Sequence, residues 1–279
     1  MSKNTVLSMQ KQKRAGEKIT MVTSYDYSMA RLVEEAGINA ILVGDSLGMT
    51  MLGYADTLPV TMEDMIHHTA AVSRALTNTF LVSDMPFLSY QTSERDALAN
   101  AGRLAKEGHA QAVKLEGGAT VASQIKAIVD AGIPVQGHIG MTPQSVNAFG
   151  GFKVQGKDAD AAKRIVEDAY QVQEAGAFSV VLECVPAPLA SFITEQLDII
   201  TIGIGAGSGC DGQVLVYQDL LGITRGHAPK MVKQFGQLGD AIVGCYKAYA
   251  EEVRSGAFPA AENAFALDEA VMDEVRKSF

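Results

Sequence analysis

A chain of 279 residues that is 47% hydrophobic can bury one large α/β domain or two small ones, and no Pro/Gly/Ser-rich linker divides it. Its formal net charge of −9 is scattered along the chain, which argues against nucleic acid or an anionic membrane as a partner, since either needs a basic face. The N-terminal KQKRAGEK cluster reads as a solvated surface segment. With three cysteines lacking metal-ligand spacing, no signal peptide and no membrane-length apolar run, the expectation is a cytosolic, reduced protein.

The first strand is expected in KITMVTSYD, followed by the helix SMARLVEEAG with Ser28 as its cap and Gly37 as its stop. NAILVGDS is the second strand. A long loop, LGMTMLGYADTLPV, then leads to the helix TMEDMIHHTAAVSRAL, capped by Thr61, in which His67 and His68 are ordinary helix residues. The third strand is TFLVSDMPF, and Ser93 with Asp96 marks the start of the next helix, SERDALANAGRLAKEG. The fourth is AVKLEGG, followed by the helix TVASQIKAIVDAG. The fifth, IPVQGHIGM, runs into MTPQSVNAFGGFKVQGK, an irregular stretch of the length expected of an active-site lid. After the helix DADAAKRIVEDAYQVQEAG come the strand FSVVLECV, the helix APLASFITEQL, the strand IITIGIGAG and an eighth strand-like run, QVLVYQDLLG. GSGCDG leaves no room for a helix between the last two strands.

Helices that end in glycine before the next strand (EEAG, KEGH, VDAG, QEAG) carry the chemistry of αβ loops in a repeated array. Residues 1–279 therefore read as a single (β/α)8 TIM barrel domain with an N-terminal segment and a helical C-terminal extension from about residue 229. A doubly wound open sheet is the alternative.

In such a barrel the C-terminal strand ends converge on one pocket. Asp45, Asp84 and Glu116 end successive strands, where three clustered carboxylates repel one another unless they share a cation. All-oxygen ligands favour a hard ion, Mg2+ before Mn2+ or Ca2+. Taken singly, each acid also reads as a helix cap or a surface loop residue. Lys114 faces the same way as Glu116 along its strand. It serves either as an ion-pair partner or as an anchor for a substrate carboxylate. His138 ends the fifth strand, across from the proposed metal, and is a core histidine or a group of the pocket rim. Glu183 closes the apolar run FSVVL and is a partly desolvated general base or a structural ion-pair partner. Cys184 beside it is a nucleophile or, more simply, a small residue on a buried strand. GSGCDG matches the dinucleotide pattern G-x-G-x-x-G only formally, because a strand rather than a helix follows it. A glycine turn accounts for it.

The segments LVGDSLGMTMLGYADTLPVTMEDM, SDMPFLSY, AVKLEGG, VQGHIGMTPQ, LECVP and TIGIGAGSGCDGQVLVYQDLLG together resemble the ketopantoate hydroxymethyltransferase family, in order, from about residue 18 to about residue 225. The resemblance implies a barrel of the phosphoenolpyruvate mutase/isocitrate lyase-like group. It implies transfer of a hydroxymethyl group from 5,10-methylenetetrahydrofolate to 3-methyl-2-oxobutanoate, giving 2-dehydropantoate and tetrahydrofolate in pantothenate (coenzyme A precursor) biosynthesis. On this sequence the family's Mg2+ falls on Asp45, Asp84 and Glu116, the last through water. Its substrate contacts fall on Asp45, Ser46, Asp84, Lys114 and His138, and its general base on Glu183. The folate is a co-substrate with no residues assigned to it, and the loops at 47–60 and 142–157 are its candidate neighbours. The resemblance further implies a cytosolic homo-oligomer, often a decamer. A carbon–carbon lyase or phosphomutase of the same barrel group is the rival enzyme, against which stands the lack of a KKCGH-like segment. A barrel that binds metabolites without catalysis is the rival of another class.

Overall fold

Eight parallel strands close on themselves in sequence order, each hydrogen-bonded to the next and the eighth to the first. The computed structural model describes residues 3–226 and 229–279. The strands are β1 (Ile19–Thr23), β2 (Ala40–Val43), β3 (Phe80–Asp84), β4 (Ala112–Glu116), β5 (Val135–Gly140), β6 (Ser179–Glu183), β7 (Ile200–Ile204) and β8 (Gly212–Leu215). Before β1 lies helix α1 (Val6–Arg14). Between the strands run α2 (Tyr27–Glu35), α3 (Leu47–Thr50), α4 (Met62–Ser73), α5 (Glu94–Lys106), α6 (Ala122–Asp130), α7 (Val146–Phe149), α8 (Ala159–Glu174) and α9 (Ala187–Gln196). After β8 come α10 (Tyr217–Leu220), α11 (Leu238–Ser255) and α12 (Glu269–Ser278).

Continuous apolar runs form these strands because both faces are buried, as parallel sheets require. One set of alternate residues, including Leu42, Val82, Ala112 and Val181, fills the barrel. The other set, including Ile41, Leu81, Val113 and Val180, packs under the helices. Helix α1 stops the lower end: Met9 joins the interior cluster, and Lys13 binds the Asp211 carboxylate at 2.8 Å and the Ile199 carbonyl at 2.9 Å. The period of two then decides the upper end. If Val82, Ala112 and Val181 point inward, so do Asp84, Lys114, Glu116 and Glu183.

The helix starts expected at Thr61 and Ser93 are present, each side chain accepting from the backbone N–H three residues on. The expected cap at Ser28 is not: Asp26 caps α2 by accepting from Met29 N at 2.9 Å, and Ser28 lies inside the helix. A carboxylate at the positive end of a helix wins this competition, because it adds charge to the cap hydrogen bond. The loops expected at 47–60 and 142–157 contain the short helices α3 and α7. GSGCDG is a turn between β7 and β8, with Gly207 at φ +78°.

Beyond β8 the regular pattern lapses. Only the short α10 follows in place, whereas α11 and α12 are exposed along nearly their whole length. On α11, Ile242, Tyr246, Tyr249 and Val253 share one face by their spacing, and Tyr246 is 70% and Tyr249 59% exposed.

Gly140 links the frame to the pocket. It has φ +92°, and an added Cβ would run into the Glu183 carbonyl and the Val185 side chain. Gly140→Ala should therefore destabilise the protein by about 2 kcal/mol or more. Urea unfolding would show a lower midpoint at unchanged slope, and a wild-type midpoint would contradict the close approach.

Candidate active site

A cavity of about 820 Å3 opens at the C-terminal ends of the strands, and every residue proposed from sequence lines it. Asp45 and Ser46 follow β2, Asp84 ends β3, Lys114 and Glu116 come from β4, His138 from β5 and Glu183 from β6. Higher up, the wall turns apolar with Met49, Phe152, Ile204 and Met231.

Charge burial dominates the floor. The Lys114 ammonium lies 2.9 Å from Asp84 Oδ1, each side chain only 4% exposed. Burial opposes a charged lysine, but Asp84, Glu116 and Asp45 overcome it and raise its pKa above the ordinary value. Asp84 Oδ2 accepts from Asp45 N at 3.0 Å. Burial, then repulsion from Asp84 and Glu116, pushes the Asp45 carboxyl well above the usual carboxylate range. Burial acts the same way on Glu116, yet His138 and Lys114 outweigh it and hold that carboxyl low.

His138 lies beside Glu116 and reaches Glu183, so it is a bridge between two acids rather than a group set apart from them. At Nδ1 two partners compete: Lys114 Nζ at 3.1 Å donates to a bare nitrogen, and Glu116 Oε1 at 3.4 Å accepts from a protonated one. Nε2 faces Glu183 Oε2 at 3.3 Å. Burial and Lys114 pull the imidazole pKa down, but hydrogen bonding to Glu116 and Glu183 prevails and pushes it up to about 9.

Four carboxyl groups and two basic groups thus crowd the floor of the cavity, and Asp219 and Arg225 join them in its lining. Among the described residues, no group of three or more histidine, cysteine, aspartate or glutamate side chains is drawn together as a ready-made metal site. Cys184 has φ +50° and is half-buried, with Sγ 3.6 Å from Met231 Sδ. Burial pushes its thiol up to about 11, which removes it as a thiolate nucleophile near neutral pH. His68 is tied to the Tyr25 carbonyl through Nδ1 at 2.7 Å, outside the cavity lining.

Sequence reasoning missed the residues behind this floor. Tyr25 hydrogen-bonds Ser46 Oγ through its hydroxyl at 2.8 Å, and Tyr90 and Gln144 hold Glu116 and Asp45 from below. Tyr25 had a signal, since it stands at the end of a strand run. Gln144 had only its place in MTPQ, directly after a strand that ends at the pocket.

The raised His138 value carries a stability prediction. Folding favours the protonated ring, so its contribution is complete below the ordinary 6.5 and is lost as pH rises through about 9. Wild type should lose up to about 3 kcal/mol more than His138→Gln across that window. Urea-derived stabilities that fall in parallel for the two proteins would remove the bridging role.

The ketopantoate hydroxymethyltransferase family model matches residues 3–261. A Clostridium novyi (strain NT) protein named 3-methyl-2-oxobutanoate hydroxymethyltransferase is 63% identical over 98% of this chain and 99% of its own length. One of the same name from Enterococcus faecalis (strain ATCC 700802 / V583) is 58% identical, with 98% and 99% covered. Among solved structures, 2,3-dimethylmalate lyase, described as a PEP mutase/isocitrate lyase superfamily member, aligns with TM-score 0.61 at 16% identity, covering 99% of this chain and 100% of that one. Phosphonopyruvate hydrolase aligns with TM-score 0.61 at 14% identity, covering 100% and 98%. These distant likenesses show the fold alone, a closed parallel (β/α)8 barrel. With a family model spanning the barrel and relatives matching nearly end to end, the chain belongs to the ketopantoate hydroxymethyltransferase family, and it is a transferase.

Proposed function

We propose that this protein transfers a hydroxymethyl group from 5,10-methylenetetrahydrofolate to 3-methyl-2-oxobutanoate, giving 2-dehydropantoate and tetrahydrofolate in pantothenate biosynthesis. The observation that carries this is the meeting of Glu183, Lys114 and His138 with three further acids in one cavity, on a chain whose relatives bear that enzyme's name.

The donor set suits a hard divalent ion. Asp45, Asp84 and Glu116 supply oxygen only, they are buried, and the raised Asp45 carboxyl marks negative charge short of a counterion. Asp45 and Asp84 would hold Mg2+ directly and Glu116 through water. This accords with the waters Mg2+ habitually keeps. Bound there, the ion supplies Lewis acidity at the keto oxygen.

The chain's own groups do the rest. Lys114, already paired with Asp84, faces the cavity as the cation for the substrate carboxylate, and Ser46, held by Tyr25, offers a hydroxyl beside it. Glu183 takes the proton from C3, and His138, 3.3 Å from its Oε2, orients the carboxylate and steadies the charge it carries before transfer. Water releases the one-carbon unit from the folate at the formaldehyde level, breaking its two C–N bonds and leaving tetrahydrofolate. The enolate carbon adds to that carbonyl carbon, and the oxygen takes the proton back from Glu183 to become the product hydroxyl. The apolar upper wall at Phe152 and Met231 is a suitable setting for that flat co-substrate.

We further take residues 1–279 as one barrel domain working as a cytosolic homo-oligomer, of which a decamer is one closed form. The apolar face of α11 supports this, since an isolated helix exposing two tyrosines, a valine and an isoleucine along one stripe needs a partner.

Glu183→Gln should still bind the keto acid but lose exchange of the C3 proton with deuterated water by about 100-fold or more. Wild-type exchange would remove Glu183 as base. Purified protein supplied with keto acid, Mg2+ and methylenetetrahydrofolate should form 2-dehydropantoate and stop on addition of EDTA; undiminished turnover with chelator present contradicts the metal site. Tyr249→Glu should lower the sedimenting mass, and an unchanged mass would dissociate α11 from assembly.

A further inference from the structure

We propose that Gln144 is a positioning residue for the divalent cation, selecting which oxygen of Asp45 and which of Glu116 remains available to it. This rests on the Mg2+ site proposed above. Gln144 is 6% exposed and lies just after β5, in the turn that opens the loop over the cavity. Its carboxamide is fully engaged. Oε1 accepts from the Tyr90 hydroxyl at 2.6 Å and from Gln91 Nε2 at 3.2 Å. Nε2 donates to the Met85 carbonyl at 2.9 Å and to Asp45 Oδ2 at 2.8 Å. The backbone N–H of the same residue donates to Glu116 Oε2 at 2.9 Å.

This arrangement has one orientation. Turning the amide over would set an oxygen against a carbonyl and a carboxylate, neither of which donates. Tyr90 reinforces it: its hydroxyl accepts from Glu116 N at 3.1 Å, and of the two acceptors for its proton, Gln144 Oε1 at 2.6 Å is closer than the Glu116 carbonyl at 3.2 Å. One residue thus holds Oδ2 of Asp45 and Oε2 of Glu116, leaving Oδ1 to the cavity and Oε1 to His138. Asp84 is fixed independently, by Asp45 N and Lys114. Carboxylates fixed in this way meet an ion without first giving up alternative rotamers, and loss of such outer partners commonly costs 10- to 100-fold in metal affinity.

The test measures metal binding without turnover. Mn2+ is titrated into wild type, Gln144→Met, Tyr90→Phe and the double variant, with free Mn2+ read by electron paramagnetic resonance. Met keeps the length of the side chain and the backbone N–H to Glu116, so it removes the amide alone. Gln144→Met should bind Mn2+ roughly 10- to 100-fold more weakly. Tyr90→Phe should lose less, and the double variant should fall short of the sum of the two losses, because Tyr90 acts in part through the amide, beside its own bonds to the Glu116 backbone. Circular dichroism checks that each variant is folded. Wild-type affinity in folded Gln144→Met, or additive losses in the double variant, would overturn the inference. If Gln144→Met does not fold, Tyr90→Phe decides, with unchanged affinity counting against. Wild type that takes up no Mn2+ overturns the inference together with the metal site it rests on.

Discussion

Four carboxyl groups and two basic ones are held out of water at one end of a barrel, and most of the site's arrangement answers that imbalance. A lone buried charge costs several kcal/mol, so each group is drawn towards one of opposite sign or towards neutrality. Lys114 and Asp84 satisfy each other at 2.9 Å. Glu116 and Glu183 share His138. Asp45 is left with amide donors only, from Gln144, and its carboxyl is the one driven furthest towards the protonated form. The place where the protein's own charges fail to close is the place where an external cation has most to offer. By the same surplus, the keto acid proposed above, itself an anion, would be admitted only with that cation and Lys114 facing it together.

The frame that concentrates these charges is a matter of parity. In a closed parallel barrel, alternate residues of each strand point inward, and at the lower end these are Leu, Val, Ala and Met. At the upper end the same rows become Asp84, Lys114 with Glu116, His138 and Glu183. Their convergence was legible in the sequence because it needs only strand assignment and parity, both robust for apolar runs that end in a polar residue. Parity leaves Lys114 with two readings, ion-pair partner or substrate anchor, and which acid it meets depends on the register of β3 against β4, where Asp84 stands opposite Lys114.

What stayed hidden has a common physical character. Gln144 reaches Asp45 across 99 residues and Tyr90 across 54, through a loop whose backbone path has no periodic signature. A neutral amide or phenol carries no charge to betray its function, and its value lies in direction. The misplaced start of α2 is a milder case. Asp26 and Ser28 are both competent caps two residues apart, and the charge of Asp26 together with its extended backbone decides between them. His138 stands beside Glu116 because adjacency around a barrel follows strand order and β5 lies next to β4.

The C-terminal helices extend the reasoning about closure from charge to apolar surface. A (β/α)8 barrel buries each strand's outer face under a helix, and after β8 only α10, a single turn, follows in place. The long helix that the pattern calls for is present as α11, but its Ile242, Tyr246, Tyr249 and Val253 are open to water. Helix propensity alone rarely sustains such an element; packing of its apolar stripe does. On α12, Val271 and Val275 repeat the situation at a spacing of one turn. Both helices therefore carry the sequence pattern of buried elements without a surface to bury against in their own chain. In the homo-oligomer proposed above, a second copy of this chain, with the same thinly covered sector beyond β8, would answer both deficits at once.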